Sequence, residues 1–327
     1  MVNPLSTSLV VLCSAGPTLV IGAVWSWLLL RALVPQLRQS LLDHPNDRSS
    51  HCVATPRAGG LAFVFVTTIA NLFELASSGW SATEALPVIL LPLSFAGFLD
   101  DHHNLPTSWR YGVQLATAVM LVILSPLQIP WLLFPLMLIT VTAVINFTNF
   151  MDGLDGLVAG CMVVALSSAT LVLGQNWYIW ALVGALMGFL VWNWNPAKVF
   201  MGDVGSTFLG AMFAGLVLQA SNWLEAMEIL LVATPLLGDA CLCVPRRLLA
   251  GQKVFQAHRL HLFQRLHQAG WHHDRVACLY ISATVAMGIS LLLGGWPWVL
   301  WTAAIELLIG VWLDQTIAVP FSVASKG

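Results

Sequence analysis

Residues 131–160 read WLLFPLMLITVTAVINFTNFMDGLDGLVAG. Residues 131–147 are predominantly apolar, and a polar turn containing glycines separates them from a second apolar run that begins at residue 157. Such a run approaches the roughly 20 residues that a helix needs to cross a bilayer. Because lipid offers the backbone no hydrogen-bond partner, a run of this kind crosses a membrane as a helix. The stretch predicts two membrane-spanning helices joined by a short polar turn.

The composition extends this prediction to the whole chain. Of the 327 residues, 58% are hydrophobic and 9% are charged, whereas soluble domains carry about 25% charged residues. The mean hydropathy is +0.82, which excludes an ordinary soluble fold. We therefore predict an all-α integral membrane protein, a single polytopic domain over residues 1–327 with about eleven transmembrane helices. The candidate spans are 9–33, 59–78, 85–99, 111–128, 131–147, 157–174, 177–194, 207–220, 226–244, 275–294 and 296–314.

The basic residues predict the orientation, because Lys and Arg accumulate in short cytoplasmic loops. With the N-terminus outside, the inner segments are 34–58, 100–110, 148–156, 195–206, 245–274 and the tail from residue 315. All thirteen Lys and Arg residues lie in these segments or at their margins, and all nine histidines lie within them. Two compensating errors in the span count would produce the same pattern. The distribution predicts a cytoplasmic C-terminus and cytoplasmic active-site loops.

Two of these loops carry clustered carboxylates. Asp100 and Asp101 stand in GFLDDHHNLP, and adjacent carboxylates favour a bound cation or a shared proton. Asn149, Asp152 and Asp155 follow one another at intervals of three, which places neighbours on one face of a helix. The alternatives are a solvated helix end for the first pair and ordinary helix caps for the others.

A third loop, NPAKVFMGDVGSTFLG, places Lys198 and Asp203 five residues apart before the next apolar span. Glycines that precede a helix let backbone N–H groups approach an anion, and the helix N-terminus favours negative charge. Ser206 is equally suited to an N-cap role. The string is a candidate site for a phosphate or for a metal ion that accompanies one.

The fourth loop contains AHRLHLFQRLHQAGWHHDR. As a helix, this string would present His258, His261 and Arg265 on one face beside Arg259, a donor surface suited to phosphate oxygens or a uracil ring. The alternative is a basic helix attracted to anionic lipid.

The first loop adds three further candidate residues for substrate binding, although positive-inside anchoring explains it about as well: Arg48, His51 and Arg57. Carboxylates with an amide indicate a hard cation, Mg²⁺ with Mn²⁺ as the alternative, that bridges to substrate phosphates. The six cysteines show neither a disulfide framework nor a zinc spacing and are interpreted as small apolar residues. The N-terminus lacks the features of a signal peptide. Together the loops predict a site for phosphoryl transfer.

These strings together resemble the polyprenyl-phosphate N-acetylhexosamine-1-phosphate transferases, glycosyltransferase family 4, over roughly residues 40 to 270 and in the family's order. The His258-Arg259-x-His261 string is closer to the O-antigen-initiating subgroup than to the peptidoglycan translocase, which has a His-His-His run. The resemblance implies that Asn149 and Asp203 hold Mg²⁺. It implies catalytic roles for Asp100, Asp101, Asp152, Asp155 and Lys198. It also implies substrate contacts for Arg48, His51, Arg57, His258, Arg259, His261 and Arg265.

The expected reaction moves an N-acetylhexosamine 1-phosphate from a UDP-sugar to undecaprenyl phosphate and releases UMP, in the bacterial inner membrane and without nucleic acid. Which UDP-sugar serves as donor stays open, and so does the choice between direct transfer and an aspartyl-phosphate route. The alternatives are a peptidoglycan-type phospho-MurNAc-pentapeptide transferase, a transporter and an inactive lipid-binding scaffold. A transporter usually carries ionisable groups near the bilayer midplane and internal repeats. No repeat is visible here, and Glu228, Asp239 and Glu306 alone approach such positions.

Overall fold

The computed structural model describes residues 4–45, 50, 53–79, 84–174, 177–252 and 258–325, with side chains from residue 15 onward. Arg48 and His51 lie outside these residues. The described chain is helical apart from loops and one short antiparallel pair, β1 (Leu42–Asp43) with β2 (Thr55–Pro56). The helices are α1 (Pro4–Ser40), α2 (Leu61–Ser78), α3 (Leu86–Ile89), α4 (Leu91–His103), α5 (Thr107–Ile123), α6 (Phe134–Met151), α7 (Leu157–Leu173), α8 (Trp177–Asn193), α9 (Gly202–Leu218), α10 (Trp223–Val232), α11 (Thr234–Leu249), α12 (Leu262–Gln268), α13 (His273–Thr316) and α14 (Phe321–Ala324).

The prediction of an all-α membrane protein is confirmed. By length and composition, four helices among the described residues are able to cross a membrane, or five if the bent pair α10 and α11 forms one span. Helices α7, α8 and α9 are apolar but shorter. The count of eleven spans and the orientation of the termini remain predictions.

Two of the predicted spans are broken or joined in ways that follow from single residues. The predicted span 226–244 bends by 84° between α10 and α11. Pro235 lies in the first turn of α11 and has no N–H group with which to continue the hydrogen bonds of α10. The predicted spans 275–294 and 296–314 are the two arms of α13. They meet at Gly295, whose φ of 61° and ψ of −158° interrupt the helix.

Helix α9 lies at the centre of the bundle, since residues 204–218 are all buried. It packs against α4 and α6, and more lightly against α7. Its N-terminal end meets the segment that precedes α2 and the C-terminal part of α4. The Gly59 and Gly60 N–H groups donate to the carbonyls of Phe200 and Met201 at 2.9 Å. Segments that are distant in sequence therefore meet at one end of α9.

Candidate active site

Asp101 holds the beginning of α9. Its Oδ1 accepts a hydrogen bond from the Asp203 N–H at 3.0 Å, and its Oδ2 accepts one from the Val204 N–H at 3.2 Å. The first N–H groups of a helix have no partner within the helix, so a carboxylate from elsewhere in the chain stabilises them as an acceptor. Its negative charge also interacts favourably with the positive end of the helix dipole. Asp101 is 4% exposed. This buried side chain fixes the backbone that carries the Asp203 side chain.

Glycines let the two segments approach this closely. Gly202 has a φ of +73°, and a Cβ built there would lie 2.5 Å from Asp101 Oδ2. A Cβ on Gly97, in α4, would lie 2.7 Å from the Asp203 carbonyl carbon. A side chain at either position would push α4 and α9 apart. The conjunction of Asp101 with Asp203 thus depends on residues that have no side chain.

Asp100, Asp101 and Asp203 line a polar recess at the beginning of α9. Asp100 is held there by a different partner. Its Oδ2 accepts a 2.7 Å hydrogen bond from Arg110 Nη1, and its Oδ1 accepts one from the Leu105 N–H at 2.7 Å. Arg110 Nη1 also lies 3.7 Å from Asp203 Oδ2. One guanidinium therefore serves two carboxylates that belong to different helices.

The carboxyl groups of the recess raise one another's pKa. The pKa of Asp203 lies well above its ordinary value, because burial and the nearby Asp100 and Asp101 disfavour the charged form more than Arg110 favours it. Burial raises the pKa of Asp101 to about 6, although the hydrogen bonds that it accepts from two backbone N–H groups and the positive charge of Arg57 oppose the shift. Burial, with Asp101 and Asp155 close by, raises the pKa of Asp152 to about 8. The recess holds more carboxyl groups than the two arginines neutralise.

Asp155 lies in the same turn but faces away from this recess. Its Oδ2 accepts a hydrogen bond from the Ala197 N–H at 3.1 Å and lies 3.3 Å from His273 Nδ1. His273 Nε2 in turn lies 3.1 Å from the Ser50 carbonyl oxygen. Asp155 therefore ties the turn after α6 to the loop before α9 and to α13, which is the geometry of a positioning residue.

The helical face predicted for Asn149, Asp152 and Asp155 is only partly formed, because α6 ends at Met151 and Asp152 is its C-cap. Asn149 is half-buried on the last turn of α6. Lys198 is exposed, and its Nζ lies 5.8 Å from the centre of the Trp192 ring. Asn149 therefore lies one turn before Asp152 at the end of α6, and Lys198 lies on the surface of the loop that leads to Asp203.

The histidine string forms a second group of residues. Residues 258–261 are not helical, so the single helical face predicted for this string is wrong for its first half, and helix α12 starts only at Leu262. Asp239 of α11 caps that helix: its Oδ1 accepts from the Leu262 N–H at 2.9 Å, and its Oδ2 accepts from the Phe263 N–H at 3.1 Å and the Tyr280 hydroxyl at 2.7 Å. Asp239 therefore plays the same part for α12 as Asp101 does for α9.

Arg265 is a structural residue of this group. It is 3% exposed, it forms an ion pair with Asp314, and its guanidinium donates to the carbonyls of Leu260 and Val319 at 3.1 and 2.9 Å. These bonds fasten residues 258–265 to the end of α13. Each of the three guanidinium nitrogens therefore has a partner within the protein.

The two groups meet at the end of α6. The Phe150 ring lies 6.4 Å from the ring of His261, centre to centre, and Phe150 stands between Asn149 and Asp152 in the chain. Beside the second group lies a largely apolar cavity of about 670 Å³ between α11 and α13, with Arg246, Arg265 and Asp314 in its lining. The histidine segment thus contacts the end of α6 on one side and lines the apolar cavity on the other.

Of the residues predicted from the sequence, the recess brings together Asp100, Asp101, Asp203, Arg57 and Asp152. Two residues of the site were not predicted as site residues from the sequence. Arg110 was counted only among the cytoplasmic charges, and Asp239 was considered only as a feature of a transporter. Arg110 stands ten residues after Asp100 with no periodicity that connects them. Only the turn between α4 and α5 brings the two side chains together.

The recess fits the divalent cation that the motifs imply. Within the described part of the chain, three carboxylates do not converge to within 4.8 Å of one another. Mg²⁺ usually binds through only one or two carboxylates, and water and substrate phosphates complete its octahedron. The clustered carboxyl groups supply that donor chemistry. A bound cation would stabilise their charged forms, which burial and the neighbouring carboxyl groups disfavour.

The chain resembles known proteins over most of its length. Glycosyl transferase family 4 matches residues 85–221, which include both carboxylate loops and the Lys198–Asp203 loop. The "Probable undecaprenyl-phosphate N-acetylglucosaminyl 1-phosphate transferase" of Bacillus subtilis (strain 168) is 30% identical over 266 residues, 73% of each chain. The "Decaprenyl-phosphate N-acetylglucosaminephosphotransferase" of Mycobacterium leprae (strain TN) is 28% identical over 74% of each chain.

A third relative carries the name of a muramoyl-pentapeptide transferase. The "Phospho-N-acetylmuramoyl-pentapeptide-transferase" of Halalkalibacterium halodurans is 28% identical over 80% of this chain and 92% of its own. All three alignments extend well beyond the 85–221 segment and keep most of each protein. The chain therefore belongs to glycosyl transferase family 4, as its carboxylate and histidine motifs indicated.

Proposed function

We propose that the protein transfers an N-acetylhexosamine 1-phosphate from a UDP-sugar to undecaprenyl phosphate, at the cytoplasmic face of the bacterial inner membrane. The products are undecaprenyl-diphospho-sugar and UMP. The observation that carries the proposal is the recess at the start of α9, where Asp100, Asp101 and Asp203 meet Arg110. Carboxylates beside a shared guanidinium suit a reaction between two phosphate-bearing substrates.

A transfer of this kind requires mainly alignment of the two phosphates and neutralisation of their charge. Arg110 and Arg57 both lie near the carboxylates, and their guanidinium groups are suited to phosphate oxygens. Asp101 keeps the start of α9 rigid, so that Asp203 does not move when substrates enter. The lipid phosphate needs little help to lose its proton, because a phosphate monoester with a second pKa near 6 is mostly dianionic at pH 7.

Mg²⁺ is part of this proposal. Asp203 and Asn149 would hold the ion, which when bound supplies charge neutralisation for the donor diphosphate. Asp100 stays paired with Arg110 and faces the acceptor. Asp152, at the end of α6, is the remaining carboxyl group that borders the recess and is able to accept or release a proton near neutral pH.

The donor nucleotide is assigned to the side of residues 258–261. Arg259 and the half-buried His258 belong to this segment, which Asp239 and Arg265 hold in place. Lys198 on the neighbouring loop adds positive charge. The isoprenoid chain of the acceptor is assigned to the apolar cavity between α11 and α13, because a long hydrocarbon requires an apolar channel next to the polar recess.

The pathway is proposed from the subgroup resemblance, which favours initiation of O-antigen or another envelope glycan over peptidoglycan synthesis. The printed names of the Bacillus and Mycobacterium relatives favour N-acetylglucosamine as the sugar. The Halalkalibacterium relative represents the alternative, a muramoyl-pentapeptide donor. The donor that is used distinguishes the two.

The experiment is UMP release by the purified full-length protein in detergent, with undecaprenyl phosphate and a panel of donors that includes UDP-N-acetylglucosamine, UDP-N-acetylgalactosamine and UDP-MurNAc-pentapeptide. We expect release with an N-acetylhexosamine donor that requires both lipid and Mg²⁺ and stops in EDTA. Asp203→Asn is the matched inactive control. Folded protein that releases no UMP with any donor would overturn the proposal, and release with the pentapeptide donor alone would establish the alternative.

A further inference from the structure

Three potential metal ligands lie together outside the carboxylate recess. Cys243 of α11 meets His258 and His261, and one ligand atom from each residue lies within 4.8 Å of the other two. Cys243 is 5% exposed and His261 is 1% exposed, while His258 is half-buried. The cluster is therefore closed on the side of the bundle and open on the side of His258.

His261 has one ring nitrogen that is able to bind a metal ion. Its Nδ1 faces the Asp239 carboxylate, whereas its Nε2 is buried and makes no hydrogen bond. Buried polar atoms in native structures nearly always have a partner. A metal ion bound at Nε2 would provide one.

Asp239 provides the outer support that metal-bound histidines usually have. Its Oδ1 lies 3.4 Å from His261 Nδ1. A histidine that binds a metal through one nitrogen commonly directs the other to a carboxylate, which fixes the ring and strengthens the ligand. The Leu262 and Phe263 N–H groups and the Tyr280 hydroxyl hold this carboxylate in turn.

The ligand types select the metal. One thiolate and two imidazoles favour Zn²⁺, whereas Mg²⁺ requires oxygen. With neutral imidazoles, the charges of Zn²⁺, the Cys243 thiolate and the Asp239 carboxylate sum to zero, which suits a buried site. His258 accepts a 3.2 Å hydrogen bond from the Leu260 N–H at Nδ1, and binding through that nitrogen exchanges this bond for the metal.

We propose that Cys243, His258 and His261 bind one Zn²⁺, with Asp239 orienting His261. Cys243 releases its thiol proton to solvent on binding, and the fourth position is left to water. The ion joins α11 to residues 258–261, the segment that the proposed reaction assigns to the donor nucleotide. None of its ligands is shared with the Mg²⁺ site at Asp203, and zinc binding itself does not depend on the transfer reaction.

The test measures metal and not activity. Full-length protein purified in detergent, supplied with Zn²⁺ and freed of excess by gel filtration, is analysed by inductively coupled plasma mass spectrometry for zinc per chain. We expect one zinc in the wild type and in Cys241→Ser, which alters an exposed cysteine two residues away on the same helix. We expect none in Cys243→Ser and a strong reduction in His258→Ala, whose half-buried position tolerates truncation.

A second measurement covers the case in which Cys243→Ser does not fold. Co²⁺ added to metal-free wild type and Cys241→Ser is expected to give a thiolate-to-cobalt charge-transfer band and the visible absorption of a tetrahedral site, and both are expected to be weak or absent in His258→Ala. Wild type without bound zinc or a cobalt–thiolate band, or a full equivalent of zinc in folded Cys243→Ser, would overturn the inference. Protein that releases UMP with Mg²⁺ yet holds no zinc would overturn this inference alone, and zinc-loaded protein without transferase activity would overturn only the proposed function.

Discussion

Gly202→Ala tests whether Asp101 and the beginning of α9 form the frame of the active site. The added methyl group would lie 2.5 Å from Asp101 Oδ2 and 2.8 Å from the Ala58 backbone nitrogen. The Ala58 nitrogen belongs to the backbone, and two hydrogen bonds from α9 hold the buried Asp101 carboxylate. The carboxylate, the loop or α9 itself must therefore move. Each of these movements displaces the backbone that carries Asp203.

The expected cost follows from two contributions. A φ of +73° costs an L-residue with a side chain about 1–2 kcal/mol. Loss of the hydrogen bond from the Val204 N–H to Asp101 costs about 1.5–3 kcal/mol, because the acceptor is charged. The free energy of unfolding should fall by about 2.5–5 kcal/mol, or roughly 4–7 °C in thermal midpoint for a chain of this size. A shift of about 1 Å in reacting groups lowers turnover by about 100-fold.

The assay combines thermal unfolding in detergent with Mg²⁺-dependent UMP release. Gly112→Ala is the matched control, because a Cβ there has no atom within 4 Å and alanine is favoured over glycine within a helix by about 1 kcal/mol. The control should retain activity and stability. If Gly202→Ala unfolds at the wild-type temperature and keeps activity within threefold, the contact between α4 and α9 does not position Asp203.

Three further outcomes are expected. Asp203→Asn should elute from gel filtration as the wild type does and lose at least about 100-fold in UMP release, since it removes a proposed Mg²⁺ ligand; near-normal turnover would remove Asp203 from the metal site. Asp239→Asn should lower the free energy of unfolding by about 2 kcal/mol, because the amide cannot accept all three hydrogen bonds, whereas Tyr280→Phe should cost about 1 kcal/mol; equal midpoints for Asp239→Asn and wild type would contradict the capping role. Burial raises the pKa of Asp101 from 3.8 to about 6, so its contribution to stability is complete below about pH 4 and is lost as the pH rises through about 6. Thermal midpoints measured in EDTA should therefore fall more steeply between these pH values in wild type than in Asp101→Asn. Parallel profiles for the two proteins would show that another group titrates.

Much of the fold follows from local properties of the sequence. Apolar runs near 20 residues in length have no stable alternative to helices in lipid, so an all-α membrane protein is determined by composition and spacing. The break at Gly295 was predicted as the gap between two spans, because glycine tolerates a φ that ends the helical pattern. The bend at Ala233 was missed, since the apolar pattern continues across it and gives no sign of direction.

The candidate site also has features that follow from the sequence and features that do not. The sequence alone determined which residue types are present and that their loops are rich in carboxylates, amides and histidines, because these short motifs are local. The partners of these residues follow from the tertiary structure. Asp101 caps a helix that begins 101 residues later at Gly202, and Asp155 lies next to His273. Cys243 lies close to His258 and His261. Such contacts depend on how helices pack and where they end, and no spacing along the chain encodes a distance between side chains from different helices.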